Sequence, residues 1–359
     1  VGSARFSAAG SVWRRKEPLE DVRATRHNPH PAATTPLRPS PTQVFSMTRF
    51  SRRLFLERTL GGAALVASGV GATLLSMPAA ARSGDAQITS TTLAPNLILI
   101  GGVGCNVVAL GGSDGALLVD GGLAAHSAAL LKEVRRTLNT SRVKVLFNTH
   151  WHPEQTGLNE RAGKMGATLI AHENTKLWLS RPIRVSWLDK PYGPLPPKAR
   201  PNKTTYTTDT ISFGDEEIEY GYMLQAHTDG DIYVHFRKAN VLVAGGVVSG
   251  DGWPLLDWET GGWMGGLVAG YDKLLKVADE NTRIVPANGP VLSRGDLEAH
   301  RKMYFTLYER LVELLNKGQG PQEVVAAAPA KGLADQWGNA DVFVENAFRS
   351  LWGHFAPDA

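Results

Sequence analysis

The chain has a single cysteine, Cys105, among 359 residues, which excludes an intrachain disulfide and any cysteine-rich zinc or iron–sulfur centre. Its apolar surroundings are those of a buried thiol rather than a nucleophile. Long apolar runs are scarce. The candidate, Leu60 to Met77, is diluted by glycine and alanine and marginal in length for a membrane span. A basic nucleic-acid-binding face is missing too, although the net charge is +4. Residues 1 to 82 carry twelve Lys or Arg against four Asp or Glu, and the remainder has an acidic excess. The basic balance therefore belongs to the N-terminal region and implies no nucleic-acid partner.

What is present is a 43% hydrophobic, 20% charged composition, enough for one large or two small globular domains. Val1 to Ser46 is rich in Pro, Ala, Arg and Ser and lacks a helical or strand period. It reads as a disordered or untranslated segment (1–46). Met47 then opens Met-Thr-Arg-Phe-Ser-Arg-Arg-Leu-Phe-Leu, followed by the weak apolar run and the small-residue site Ala79-Ala80-Ala81. Ser51 to Leu56 resembles a bacterial twin-arginine export signal (47–82). That resemblance implies the twin-arginine translocation machinery as a partner during export, a periplasmic or otherwise exported product, and no stable membrane span after cleavage.

The rest reads as strands first. Leu97 to Ile100, Asn106 to Leu110 and Ala116 to Asp120 are apolar runs separated by glycine-rich turns, expected to be antiparallel. Leu123 to Leu138 has helical spacing and stops at Asn139, ahead of a Val143 to Phe147 strand. A helix from Leu158 to Lys164, a strand from Ala167 to Ala171 and a helix from Asn174 to Leu179 continue the alternation. Arg181 to Lys203 holds six prolines and reads as a long loop, functional as a lid or poorly ordered. A second series follows: Thr204 to Thr210, Glu217 to Tyr222, Ile232 to Phe236, Val241 to Ala244, a helix over Gly266 to Asp279, and Arg283 to Val285. Two such halves predict an α/β sandwich with helices outside. Residues 298–359 read as a helical C-terminal extension in about three segments, broken at Gly318-Gln319-Gly320 and near Gly332.

Chemistry concentrates in Asn148 to Asn159, Asn-Thr-His-Trp-His-Pro-Glu-Gln-Thr-Gly-Leu-Asn. His150 and His152 follow a strand, and residues two apart in extended chain face the same side. Two imidazoles so placed can share a metal ion, zinc being the usual partner of a histidine set. Two loop histidines beside a tryptophan equally describe a surface pair, and the spacing alone does not separate these readings. His227, in Gln-Ala-His-Thr-Asp-Gly-Asp, offers a third nitrogen.

With these motifs the region 83–297 resembles a metallo-β-lactamase-fold hydrolase, an αββα sandwich whose loops carry metal ligands at one edge. The resemblance implies a first metal held by His150, His152 and His227, with a fourth position open for water. It also implies a second metal site, and here the chain departs from the pattern. The matching positions hold Glu154, Gln155, Gly246 and Asn288, of which Glu154 alone is a strong anionic ligand. One zinc ion per chain is therefore expected. Such an ion would supply a metal-bound hydroxide for an ester, lactone, thioester or amide-like small-molecule substrate, with Glu154 as catalytic residue beside the water. A catalytically impaired binding protein and an apo scaffold with relic histidines remain open alternatives. An iron-dependent oxygenase is disfavoured, because that branch uses the acid that Gly246 replaces. Asp120 reads as a ligand-supporting or a turn residue, Asp231 as a structural hydrogen-bond partner and Asp251 as a solvated loop acid. His126, His172, His235 and His354 match no ligand motif. Trp151, Trp187, Trp253, Trp258 and Trp263 lie near the site loops, as an apolar mouth or as core.

Overall fold

The computed structural model describes residues 87 to 355. The twin-arginine segment and the stretch before it lie outside the described residues.

The first half builds a seven-stranded sheet ordered β1-β2-β3-β4-β5-β6-β7. Its strands are β1 (Thr89–Ala94), β2 (Leu97–Gly101), β3 (Val107–Gly112), β4 (Gly115–Val119), β5 (Val143–Phe147), β6 (Thr168–His172) and β7 (Lys203–Thr205). The first four pair antiparallel, β2 to β4 across glycine-bearing turns as predicted, and β4 to β7 pair parallel. Parallel pairing requires crossovers. Between β4 and β5 runs α1 (Ser127–Leu138), preceded by a 3-10 turn and closed by left-handed Asn139 (φ 56°). Between β5 and β6 run α2 (Pro153–Thr156) and α3 (Asn159–Lys164), and between β6 and β7 runs α4 (Glu173–Leu179).

The second half adds a five-stranded sheet: β8 (Thr208–Phe213), β9 (Glu216–Tyr222), β10 (Ile232–Phe236), β11 (Val241–Ser249) and β12 (Arg283–Asn288). Helix α5 (Met264–Val277) links β11 to the parallel β12. Then follow α6 (Arg294–Asn316), α7 (Pro321–Ala326) and α8 (Asp341–Phe355).

Alternation along the strands sends residues to two different cores. On β4, Leu117 and Val119 pack between the sheets with Phe147, Tyr220, Val234 and Val243. Ala116 and Leu118 point the other way, against Leu130, Val134 and Leu158 of the helical layer. A third core joins β11 to α5, α6 and α8 through Leu242, Leu267, Tyr271, Tyr304 and Phe348. The result is the expected αββα sandwich, with the C-terminal helices sharing the second sheet's outer core. One expectation fails. Thr204 to Thr210 is not one strand, because the chain leaves the first sheet at Thr205 and joins the second at Thr208. A run of threonines satisfies strand propensity on either side of the break, so propensity alone does not reveal where a chain changes sheets. Strand β1, half-exposed and threonine-rich, was not foreseen.

Candidate metal centre

The site forms where β5 and β10 deliver their loops to one edge of the sandwich. After Phe147 the chain leaves the sheet at Asn148, which is fully buried and exchanges amide hydrogen bonds with Asn159 (2.8 and 3.0 Å). Asn148 Nδ2 also donates to Gln155 O. The two ends of the motif are thus pinned together, and the intervening histidines are held between them.

His150, His152 and His227 each offer a nitrogen such that the three ligand atoms lie within 4.8 Å of one another. Their rings stand 4.5 to 4.8 Å apart, steeply inclined to each other. All three are buried, at 1%, 6% and 4% exposure. Burial first, and the neighbouring imidazoles second, push the pKa of His150 and His152 well below the usual histidine value. Both rings are therefore neutral, the form that binds metal.

One nitrogen of each ring is already engaged. Thr149 Oγ1 donates to Asp120 Oδ2 (2.9 Å) and lies 3.1 Å from His150 Nδ1, so its oxygen is free to accept from that ring. His152 Nε2 lies 2.9 Å from Asp257 Oδ2, which also accepts from Thr260 Oγ1 (2.6 Å). His227 Nδ1 lies 3.3 Å from Asp231 Oδ1, and Asp231 Oδ2 accepts from the amides of His227 and Thr228. The outer contacts leave His150 Nε2, His152 Nδ1 and His227 Nε2 available, an arrangement that fixes tautomer and ring plane at a metal centre.

The charges fit a cation as well. Asp120, Asp231 and Asp257 are each about 1% exposed, and among the described residues none is paired with Lys or Arg. Burial raises Asp120 to about 7, against the opposing hydrogen bonds from Thr149, and it also raises Asp257. A cation held by the histidines would stand beside these buried acids, which carry no other positive partner among the described residues. Asp120 itself sits at φ 65°, turning the chain sharply after β4 so that its carboxylate reaches Thr149.

The other predicted residues separate. Glu154, half-buried on α2, directly follows the second histidine's turn, and its carbonyl accepts the Cys105 thiol (3.0 Å). Gln155 is buried, and its Oε1 has no hydrogen-bond partner among the described residues. Asn288 is exposed at the end of β12, and Asp251 is exposed. Gly246 is not an empty position: a Cβ there would stand 2.5 Å from both Cε1 and Nδ1 of His227. The histidine ring lies flush against the glycine backbone. His172 instead stacks on Tyr222 (3.9 Å) and His354 on Trp263 (3.7 Å), away from the cluster.

The tryptophans divide between the two expected roles. Trp151 is fully buried and donates to Thr260 Oγ1 (3.0 Å), which joins it to Asp257, while Trp253 and Trp263 pack against the helical core. Trp187, from the proline-rich loop, packs on His152 with ring centres 4.7 Å apart. That loop is structured: it bridges itself at Ile183 and Tyr192. Asp257 was not anticipated. It lies 105 residues from His152, and no local pattern in Leu-Leu-Asp-Trp announces a histidine partner.

A model of the metallo-beta-lactamase superfamily matches residues 100–303. Among solved structures, a metallo-beta-lactamase from Pontibacter korlensis superposes with a TM-score of 0.50 at 19% identity, over 61% of this chain and 99% of its own. A stereoselective inverting sec-alkylsulfatase from Pseudomonas sp. superposes with a TM-score of 0.56 at 14% identity. That match spans 76% of this chain and 51% of the sulfatase. Likeness at these identities concerns the fold alone. No curated protein matches this chain.

Proposed function

The chain belongs to the metallo-beta-lactamase superfamily, and from that premise we propose an exported hydrolase that uses one zinc ion held by His150, His152 and His227. The observation that carries the reading is the convergence of three buried histidine nitrogens, each ring fixed from behind by a separate acid, directly or through Thr149. Zinc bound there supplies Lewis acidity, activating water near neutral pH and polarising an acyl carbonyl.

The chain's own groups supply the rest. Asp120 through Thr149, Asp257 and Asp231 orient the rings and hold each in the ligating tautomer. Trp151 and Trp187 exclude bulk water from the cluster's flank, which strengthens every polar interaction inside. Glu154 is the proposed acceptor of the proton lost from the attacking water. A single ion is favoured over two because Gly246 brings no ligand atom, while Gln155 and Asn288 bring neutral amides that bind zinc weakly. The substrate class is a small ester, lactone, thioester or amide. Export through the twin-arginine route rests on Ser51 to Leu56. The near-complete burial of the three histidines favours a second reading, a metal-binding protein without turnover.

Metal analysis of protein purified without added zinc tests the proposal. About one zinc per chain is expected, with loss of the ion in His227→Ala. Absence of bound zinc after reconstitution overturns it. Zinc retained without turnover of any chromogenic ester, lactone or thioester selects the second reading.

A further inference from the structure

We propose that Trp187 is a specificity residue, the tip of a lid that admits neutral molecules with an apolar or aromatic face to the histidine cluster and turns anions away. The inference rests on the metal-centre reading above and deepens it.

From the segment 181 to 199, Trp187 packs on His152, and a substrate must pass the groups around histidines exposed by no more than 6%. The Trp187 ring is 4.7 Å from His152 and 5.6 Å from Trp151. Trp178, Leu188, Tyr192 and Leu195 pack around the same buried group. The wall of any passage opened here is therefore largely aromatic and aliphatic.

The lid is tied unevenly. At its base Ile183 and Tyr192 exchange backbone hydrogen bonds (2.8 and 3.0 Å), Leu195 N donates to Leu179 O (2.9 Å), and the Tyr192 hydroxyl meets Thr156 Oγ1 (2.7 Å). The tip hangs on one acceptor. Ser186 N and Oγ both donate to Glu259 Oε2 (2.8 and 2.6 Å) on the exposed side. The buried indole Nε1 of Trp187 is turned toward the Asp257 carboxylate, short of a well-formed hydrogen bond. Lifting the tip gives up one exposed acceptor, the packing of one ring and a weak contact with Asp257, and it opens the indole donor to solvent or to a ligand oxygen. A rigid base with a weakly held tip is the mechanical requirement for a lid.

Charge decides what the lid admits. Asp231 and Asp257, behind the histidines, offset the two charges of a divalent ion, and Glu259 adds a further acid at the tip's anchor. Arg181, at the start of the lid, lies over the Trp178 ring at 4.2 Å. Arg184, Lys190 and Lys198 stand exposed on the lid's outer face, so the discrimination lies past them: an anion entering between the Trp187 and Trp151 rings loses its hydration beside the buried Asp231 and Asp257, whereas a neutral planar group stacks on those rings.

The test uses the zinc-loaded full-length protein and two chelators of similar size, neutral 1,10-phenanthroline and dianionic dipicolinate. Phenanthroline is expected to extract zinc at least tenfold faster. Trp187→Ala should raise the dipicolinate rate about tenfold and narrow the ratio. Ser186→Ala, which removes the hydroxyl half of the tip's anchor and leaves its amide half, should accelerate both chelators. Dipicolinate matching or outpacing phenanthroline in the unaltered protein, or a ratio unmoved by Trp187→Ala together with rates unmoved by Ser186→Ala, overturns the inference. A protein that retains no zinc defeats the metal-centre reading, and this inference with it.

Discussion

Replacing Gly246 with alanine probes the candidate centre through one added methyl group. The new Cβ would lie 2.5 Å from Cε1 and Nδ1 of His227 and 2.9 Å from Cγ, so the ring has to retreat by roughly 1 Å to reach ordinary contact. The backbone behind it cannot follow. His227 N is held by Asp231 Oδ2 at 2.7 Å, and His227 O accepts from Asp257 N at 3.0 Å. The ring must instead swing, giving up the 3.3 Å contact with Asp231 Oδ1 and leaving the cluster. Overpacking of this kind costs about 1–3 kcal/mol of stability. For binding, the loss of a ligand's orientation corresponds to roughly 100-fold in zinc affinity, about 2.7 kcal/mol. A competitive zinc titration against a chromophoric chelator, with a thermal melt followed by circular dichroism, measures both. Gly252→Ala is the control, since nothing lies within 4 Å of its Cβ position. A Gly246→Ala protein that binds zinc within threefold of the unaltered chain and melts at the same temperature refutes the reasoning.

Two further outcomes follow from the same geometry. Because burial holds His150 and His152 well below the usual value, those two imidazoles stay deprotonated as pH falls through 6.5. Two histidines of ordinary pKa would together forfeit about 100-fold in affinity between pH 8 and 5.5. A fall of no more than about tenfold is expected in zinc titrations across that range, and a 100-fold fall contradicts the burial argument. Asn159→Ala removes both halves of the amide exchange with Asn148 and the 3.0 Å hydrogen bond to Ala199 O. With the Asn148 amide left partly unsatisfied in a dry environment, denaturant titration should show a loss of about 2–4 kcal/mol. An unchanged midpoint means that the histidine turn is not held by this pair.

How much of this was legible beforehand depended on the range over which each signal acts. Strand β5 and the start of its loop could be read because Val143 to Phe147 is β-rich and apolar but for Lys144, and it lies between parallel neighbours. His150, His152 and His227 were legible as types in short patterns, and the fold brings the three together. Their supporting residues were readable only where they were local. Thr149 sits inside the motif and Asp231 four residues past His227, whereas Asp257 arrives by a loop whose path is set by the packing of Leu256 and Trp263. The sheet change at Tyr206 was illegible for the same reason. Nothing in the threonine-rich run distinguishes an edge strand of one sheet from that of another, and pairing with β6 or β9 makes the difference.

Gly246 shows where reading a residue by its missing function falls short. In the sequence it stands where an acid ligand is expected, and its lack of a side chain reads as a loss. In the fold that lack is a packing requirement, because the His227 ring occupies the space that any Cβ would need. Under the one-ion proposal the two statements are linked: the ring that serves the first site rests where a side chain for a second would begin. Restoring an acid at 246 is then expected to damage the histidine cluster before it adds a ligand. Gain of a second zinc by Gly246→Asp, with the first retained, would show that the ring can move aside and that the glycine is dispensable to it.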